Sequence, residues 1–178
     1  MVFNPAALRK RRLSAAQGYL TLEMPEQALA ELAAITSGET AGSVYFRLRG
    51  EAYRLLGRYQ EALADFERER DAGRTDLSLL LGMAWCYKRI DQLDKSIEVM
   101  HRAMQLSPEE PIVPYNLSCY YALAGERTQA FHWLERALEM QGSLRDMLAD
   151  EADFDALRDD EAFVRLAKAG EDERRALA

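Results

Sequence analysis

The chain has 178 residues, of which 48% are hydrophobic and 30% charged, and its formal net charge is −7. This apolar fraction excludes a wholly disordered chain, and the lack of any apolar run of about 18 residues argues against a membrane-spanning helix. The acidic balance argues against a nucleic-acid partner, which would need a basic face. In the first twelve residues the basic side chains follow the apolar ones, the reverse of a secretory signal. We therefore expect a cytoplasmic protein.

Four segments of the chain repeat the same residue types at an interval of 34 residues. Tyrosine marks the interval most clearly, at Tyr19, Tyr53, Tyr87 and Tyr121. A small residue stands three positions before each tyrosine, and two further positions keep the same step in the second half of each segment. These positions are Ala16, Gly50, Ala84 and Ser118, then Ala28, Ala62, Ser96 and Ala130, then Leu32, Phe66, Met100 and Leu134.

This spacing resembles the tetratricopeptide repeat, whose pattern is W-x2-L-G-x2-Y, then A-x3-F, then P. The resemblance implies an all-α protein, an α-α superhelix in which each repeat is a helix–turn–helix unit. We predict four repeats over residues 1–144, at approximately 9–42, 43–76, 77–110 and 111–144. It also implies a protein that binds other proteins and is not an enzyme.

Turn-forming residues mark the ends of the predicted helices. Gly57 and Gly125 follow the first helices of repeats two and four, where a left-handed residue suits the helix end. Glu23 and Asp91 occupy the same place in repeats one and three. One departure from the pattern is Arg49, at a position where leucine is usual, so we expect the second repeat to pack somewhat differently.

After residue 144 the 34-residue pattern stops and an acidic tail begins. The segment DFDALRDDEAF, from Asp153 to Phe163, is similar to the segment that closes small bacterial tetratricopeptide arrays. The resemblance implies an end cap over residues 145–178. The spacing of Phe154, Leu157 and Phe163 predicts apolar anchors that cover the flank of the last repeat.

No cofactor, metal or catalytic residue is predicted. The acidic residues of the tail lack the glycine of a calcium-binding loop, and we interpret them as a solvated, turn-forming run. Cys86 and Cys119 are too few for a disulfide framework and are expected to be free, buried thiols. Neither cysteine forms a metal-binding spacing with His101 or His132. The acidic residues are Asp150, Glu151, Asp153, Asp155, Asp159 and Asp160.

The concave side of such an array is lined by first helices, at positions between those that pack. In this chain these positions combine bases with aromatic residues inside an acidic protein, which favours an extended peptide carrying carboxylates. The predicted groove residues are Arg47, Glu51, Arg54, Leu81, Trp85, Lys88, Arg89, Tyr115, Asn116 and Cys119.

Some members of this family clamp the carboxylate tail of chaperones. The corresponding positions here hold Leu13, Gln17, Leu48, Ser78 and Gly82, and none offers the required lysine, arginine or asparagine. We therefore predict an adaptor that binds a protein or peptide segment without this clamp. Two alternatives remain open: a dedicated chaperone for a secreted protein, and an architectural subunit that self-associates through its edges as a homo-oligomer.

Overall fold

The structure is a computed structural model that describes residues 4–35 and 42–176, with side chains described up to residue 169. In these residues every regular element is a helix, and no strand occurs. The α-helices, in chain order, are α1 (Pro5–Thr21), α2 (Pro25–Ala33), α3 (Ser43–Leu55), α4 (Tyr59–Asp71), α5 (Leu77–Arg89), α6 (Leu93–Leu106), α7 (Ile112–Leu123), α8 (Arg127–Met140), α9 (Arg145–Leu148) and α10 (Glu161–Ala176). Short 3-10 helices span Gly142–Leu144 and Ala152–Leu157. None of the helices in the described ranges combines the length and the apolar character needed to cross a bilayer.

The chain divides after Asp91 into two compact units, Met1–Asp91 and Gln92–Ala178. In the first unit α1 packs on α2, α2 on α3, α3 on α4, and α4 on α5. In the second unit α6 packs on α7 and α7 on α8. The division of the sequence into a repeat array and a tail at residue 144 stays a prediction.

The small residues of the repeat pattern all lie inside the helical core. Ala16, Ala84 and Ser118 are fully buried, and Gly50 is buried between α3 and α4. The large apolar residues that recur in the second helices are also fully buried. Neither helix of a repeat could cover this apolar stripe alone, and each therefore needs its partner helix.

The ends of the first helices adopt the left-handed backbone predicted from the sequence. The φ angles are 72° at Gly57 and 74° at Gly125, and they are 54° at Glu23 and 60° at Asp91. A left-handed residue at this point lets the backbone reverse within a short turn and start the second helix. Glycine has this conformation at no steric cost, whereas Glu23 and Asp91 adopt it despite their side chains.

In the second unit the acidic tail folds back onto the last helical pair. The 3-10 helix Ala152–Leu157 packs on α7, and α10 packs on α8 and α9. Phe154 is fully buried, with its ring 6.0 Å from the ring of Tyr115 and 5.4 Å from that of Phe163. Leu157 and Phe163 are buried as well. The three apolar anchors therefore pack as their spacing predicted.

Candidate functional site

The half-buried indole of Trp85, on α5, lies at the centre of a cationic and aromatic cluster in the first unit. The guanidinium carbon of Arg54, on α3, lies 5.4 Å from the ring centroid, and that of Arg89 lies 5.5 Å from it. The ring of Tyr59, the first residue of α4, meets the indole edge to face at 5.3 Å. Two cations thus lie near one aromatic ring. Each cation–π contact of this kind contributes about 0.5–1 kcal/mol at exposed sites.

The neighbouring side chains position this cluster. Arg54 donates a hydrogen bond from Nε to Oε2 of Glu51 over 2.7 Å, one helical turn away. Arg89 is exposed and donates from Nε to the hydroxyl of Tyr59 over 3.3 Å. Helix α3 contacts α5 directly, which brings these residues together although they lie in different repeats. We call the set Arg54, Tyr59, Trp85 and Arg89 the Trp85 cluster.

Apolar and basic residues neighbour the Trp85 cluster along α3 and α5. Leu81, on α5, is half-buried one turn before Trp85, and Leu55, on α3, is 40% exposed. Lys88 is half-buried in the last turn of α5, next to Arg89. The surface therefore offers positive charge beside exposed apolar area.

Arg47, also expected to offer free charge to a ligand, is held by two carboxylates. Its Nε donates to Oε1 of Glu69 over 2.7 Å, and its Nη2 donates to Oδ2 of Asp76 over 2.5 Å. The hydrogen bond to Glu69 raises the pKa of Arg47 above its ordinary value, although burial opposes this. Glu69 is 1% exposed, so Arg47 supplies the charge that this buried carboxylate needs. Arg47 is therefore a structural residue.

Asp76 connects Arg47 to the start of α5. Its side chain caps that helix by accepting a hydrogen bond from the backbone N–H of Leu79 over 2.9 Å. Burial opposes ionisation, but the hydrogen bonds from Leu79 and Arg47 outweigh it and hold the pKa of Asp76 below its ordinary value. A charged carboxylate at this end of α5 also interacts favourably with the helix dipole.

Tyr115 and Cys119, which were predicted to contact a ligand, are each only 2% exposed in this structure. The 3-10 helix Ala152–Leu157 packs on α7 and Phe154 contacts the Tyr115 ring. Asn116, between them on α7, is half-buried. Of these three residues, only Asn116 therefore remains partly exposed to solvent.

Tyr59 was not among the predicted groove residues, which all lie on the first helices α3, α5 and α7. Tyr59 follows the turn at Gly57 and Arg58 and starts the second helix of its repeat. A residue at that point lies beside the next first helix, where Trp85 and Arg89 lie. An aromatic residue directly after the turn was the available signal.

Comparisons with solved structures define the fold. A crystal structure of MamA matches with a TM-score of 0.78 at 15% identity, covering 96% of each chain. MamA from Desulfovibrio magneticus RS-1 matches at 0.72 and 17% identity, covering 93% of this chain and 97% of that one. YrrB, described as a TPR protein with an unusual peptide-binding site, matches at 0.72 and 15% identity, covering 92% and 87%. The chain therefore has the tetratricopeptide-repeat fold that its 34-residue period predicted.

Sequence comparison adds no closer relationship. No family profile matches the chain, and no curated protein matches it significantly. At identities of 15–17% the likeness to MamA and YrrB establishes the fold alone.

Proposed function

We propose that this protein is a non-enzymatic adaptor that binds a peptide segment of a partner protein on the Trp85 cluster. The observation that carries the proposal is the half-buried indole of Trp85 with the guanidinium carbons of Arg54 and Arg89 at 5.4 and 5.5 Å from its ring centroid. Folding alone does not require a partly exposed indole with two cations beside it. Aromatic and arginine side chains of this kind are the residues that dominate binding energy in protein interfaces.

The partner segment carries carboxylates and at least one apolar side chain. Arg89 is exposed, and Arg54 pairs with one acid among the described residues, Glu51, so a ligand carboxylate completes the charge balance of the cluster. The face of Trp85 and the side chain of Leu55 supply apolar contact. Because each charge-assisted contact at such a surface is modest, we expect a dissociation constant of about 1–100 μM that weakens with salt.

Two further observations support peptide binding. The chain carries no recognisable nucleophile–base motif or glycine-rich phosphate loop, which favours an interaction protein over an enzyme. YrrB, which shares the fold, is described as having a peptide-binding site. The likeness is one of fold, and the ligand chemistry is argued from the Trp85 cluster itself.

A peptide array tests the proposal. The protein is probed against acidic, neutral and basic peptides, each made with and without an aromatic or leucine residue. We expect acidic peptides with an apolar residue to be enriched. Their affinity for the wild type and for each variant is then measured by the fluorescence anisotropy of dye-labelled peptides.

Variants separate the Trp85 cluster from general charge. Arg54→Glu combined with Arg89→Glu, and separately Trp85→Ala, should each weaken binding at least tenfold, a loss of about 1.4 kcal/mol. Arg74→Glu changes the charge of an exposed residue outside the cluster and should leave binding unchanged. Equal binding by all variants, or enrichment of basic peptides, would refute the proposal. Concentration-dependent light scattering without peptide binding would instead favour the self-associating subunit.

A further inference from the structure

Three metal-ligating groups from two distant parts of the sequence meet where the start of the 3-10 helix Ala152–Leu157 approaches α7. Cys119 lies on α7, Glu151 directly precedes the 3-10 helix, and Asp153 lies within it. The Cys119 Sγ and one carboxylate oxygen from each acid all lie within 4.8 Å of one another. Cys119 is 2% and Asp153 9% exposed, and Glu151 is half-buried. The expectation of a solvated acidic run is therefore wrong for Asp153.

A polar group that lacks a partner lies beside these three residues. The Tyr115 hydroxyl is buried and has no hydrogen-bond partner among the described residues, and the residue is only 2% exposed. Burial, and then the charges of Cys119, Glu151 and Asp153, raise the pKa of the Tyr115 phenol above its ordinary value, so the hydroxyl lies in the field of all three. An unpaired buried hydroxyl costs about 1–3 kcal/mol. A bound ion with its coordinated water or carboxylate would supply the missing partner.

We propose that Cys119, Glu151 and Asp153 bind one divalent transition-metal ion of the Zn²⁺ type, with the Tyr115 hydroxyl hydrogen-bonded to its coordination sphere. A thiolate with two carboxylates suits a borderline-soft ion such as Zn²⁺ better than Mg²⁺ or Ca²⁺, which prefer oxygen alone. Ligand atoms around four-coordinate zinc are about 3.5 Å apart, so small side-chain rotations close the observed separations. Binding releases the Cys119 proton to solvent, and affinity therefore falls at acid pH.

The ion joins two elements that are far apart in the sequence. It links α7 to the 3-10 helix Ala152–Leu157 and thereby holds Phe154 against Tyr115. Metal binding thus stabilises the packing of the 3-10 helix Ala152–Leu157 on α7 in the second unit. This inference goes beyond the proposed function and is independent of it, because the Trp85 cluster lies in the first unit.

Metal titration of the full chain tests the inference. Protein stripped with a chelator and dialysed is titrated with Zn²⁺ by calorimetry, and with Co²⁺ by absorption spectroscopy. We expect one equivalent to bind, with a thiolate-to-Co²⁺ charge-transfer band in the near ultraviolet and visible bands typical of a tetrahedral ion. Zn²⁺ should also raise the unfolding temperature, because an ion that binds only the folded state stabilises it.

The two cysteines provide a matched control. Cys119→Ser should abolish the charge-transfer band and weaken Zn²⁺ binding at least tenfold, since loss of even an outer partner of a metal ligand costs about 10–100-fold. Glu151→Gln, at a half-buried position where misfolding is not expected, should also weaken binding at least tenfold. Cys86→Ser, at the other buried cysteine, should change neither. Less than one equivalent of Zn²⁺ bound by the wild type, or equal binding by wild type and Cys119→Ser, would overturn the inference.

Discussion

Gly50 and Phe66 are packed so closely that Gly50 has no room for a side chain. A Cβ built on Gly50 would lie 2.6 Å from Cε1 and 2.8 Å from Cδ1 of Phe66, and 3.3 Å from the carbonyl oxygen of Ala62. Gly50 holds the small-residue position of α3, and Phe66 the large apolar position of α4. The missing side chain is therefore what lets these two helices approach.

Gly50→Ala should destabilise the protein by about 1–3 kcal/mol, the usual cost of overpacking a core. Alanine is the better helix former by about 1 kcal/mol, so a loss of stability would show that the contact with Phe66 decides the outcome. Gly18, inside α1, is the matched control because a Cβ added there would have no atom within 4 Å. Gly18→Ala should stabilise by about 0.5–1 kcal/mol. Urea unfolding compares the two, and a gain for both would contradict the packing described here.

Arg49 departs from the repeat pattern because it neutralises a buried acid. Its Nε and Nη2 each donate to one carboxylate oxygen of Asp65 over 2.7 Å, and Asp65 is 2% exposed. Arg49→Leu should cost about 3 kcal/mol, the lower end for breaking a buried ion pair, because Arg68 remains 3.5 Å from Asp65. The double variant Arg49→Leu/Asp65→Leu should lie within about 1 kcal/mol of wild type, since apolar residues can replace such pairs. A double variant as unstable as the sum of the two single variants would exclude this coupling.

Phe154 should be the principal anchor of the tail in the second unit. It is fully buried against Tyr115 and Phe163, so Phe154→Ala should destabilise by about 3–5 kcal/mol. The loosened tail should also expose apolar surface that binds a hydrophobic dye. Met147→Ala is the control, because Met147 is 44% exposed and its change should stay within about 0.5 kcal/mol. An unchanged unfolding temperature for Phe154→Ala would show that the packing of Phe154 does not contribute to the stability of the protein.

His101 should make the stability of the protein depend on pH near neutrality. Its Nε2 lies 2.8 Å from the Tyr121 hydroxyl, and its ring lies 5.5 Å from that of Trp133. Burial lowers the pKa of His101 below its ordinary value of 6.5. The folded state therefore binds fewer protons than the unfolded state below about pH 6.5. The contribution of His101 to the free energy of unfolding is complete above pH 6.5 and is lost as the pH falls through 6.5 towards the lowered pKa.

The other histidine tests this assignment. Urea unfolding at several pH values between about 5 and 8, followed by tryptophan fluorescence, measures the slope of stability against pH. His101→Gln should flatten the slope, whereas His132→Gln, at an exposed position, should leave it in place. A slope that survives in His101→Gln would assign the effect to another group.

The repeated helices could be predicted from the sequence because the helices of every repeat pack against each other in the same way. Three kinds of position depend only on neighbours within about one repeat. They are the small residue at Gly50 and its equivalents, the large apolar residue at Phe66 and its equivalents, and the left-handed turns at Gly57 and Gly125. A repeated local requirement leaves a repeated residue type. The α-α fold and the helix ends followed from that, whereas the apolar anchors of the tail were predicted from the spacing of Phe154, Leu157 and Phe163.

The residues of the candidate binding surface could be predicted from the sequence only in part. The sequence placed Arg54, Trp85 and Arg89 on successive first helices, and the structure brings them together. It could not show that Glu69 and Asp76 neutralise Arg47, because those carboxylates come from another helix and from a helix cap. It also could not show that the tail buries Tyr115 and Cys119.

The helical class, the 34-residue period and the helix ends follow from the sequence, since these depend on spacing along the chain. Tertiary structure alone decided which charged side chains pair, which groove positions are covered, and that Cys119 meets Glu151 and Asp153. The contacts of Arg47 with Glu69 and of Cys119 with Asp153 join residues more than twenty positions apart, each at a single place in the fold. A contact made once leaves no period in the sequence, and the long-range packing that creates it exists only in the folded chain.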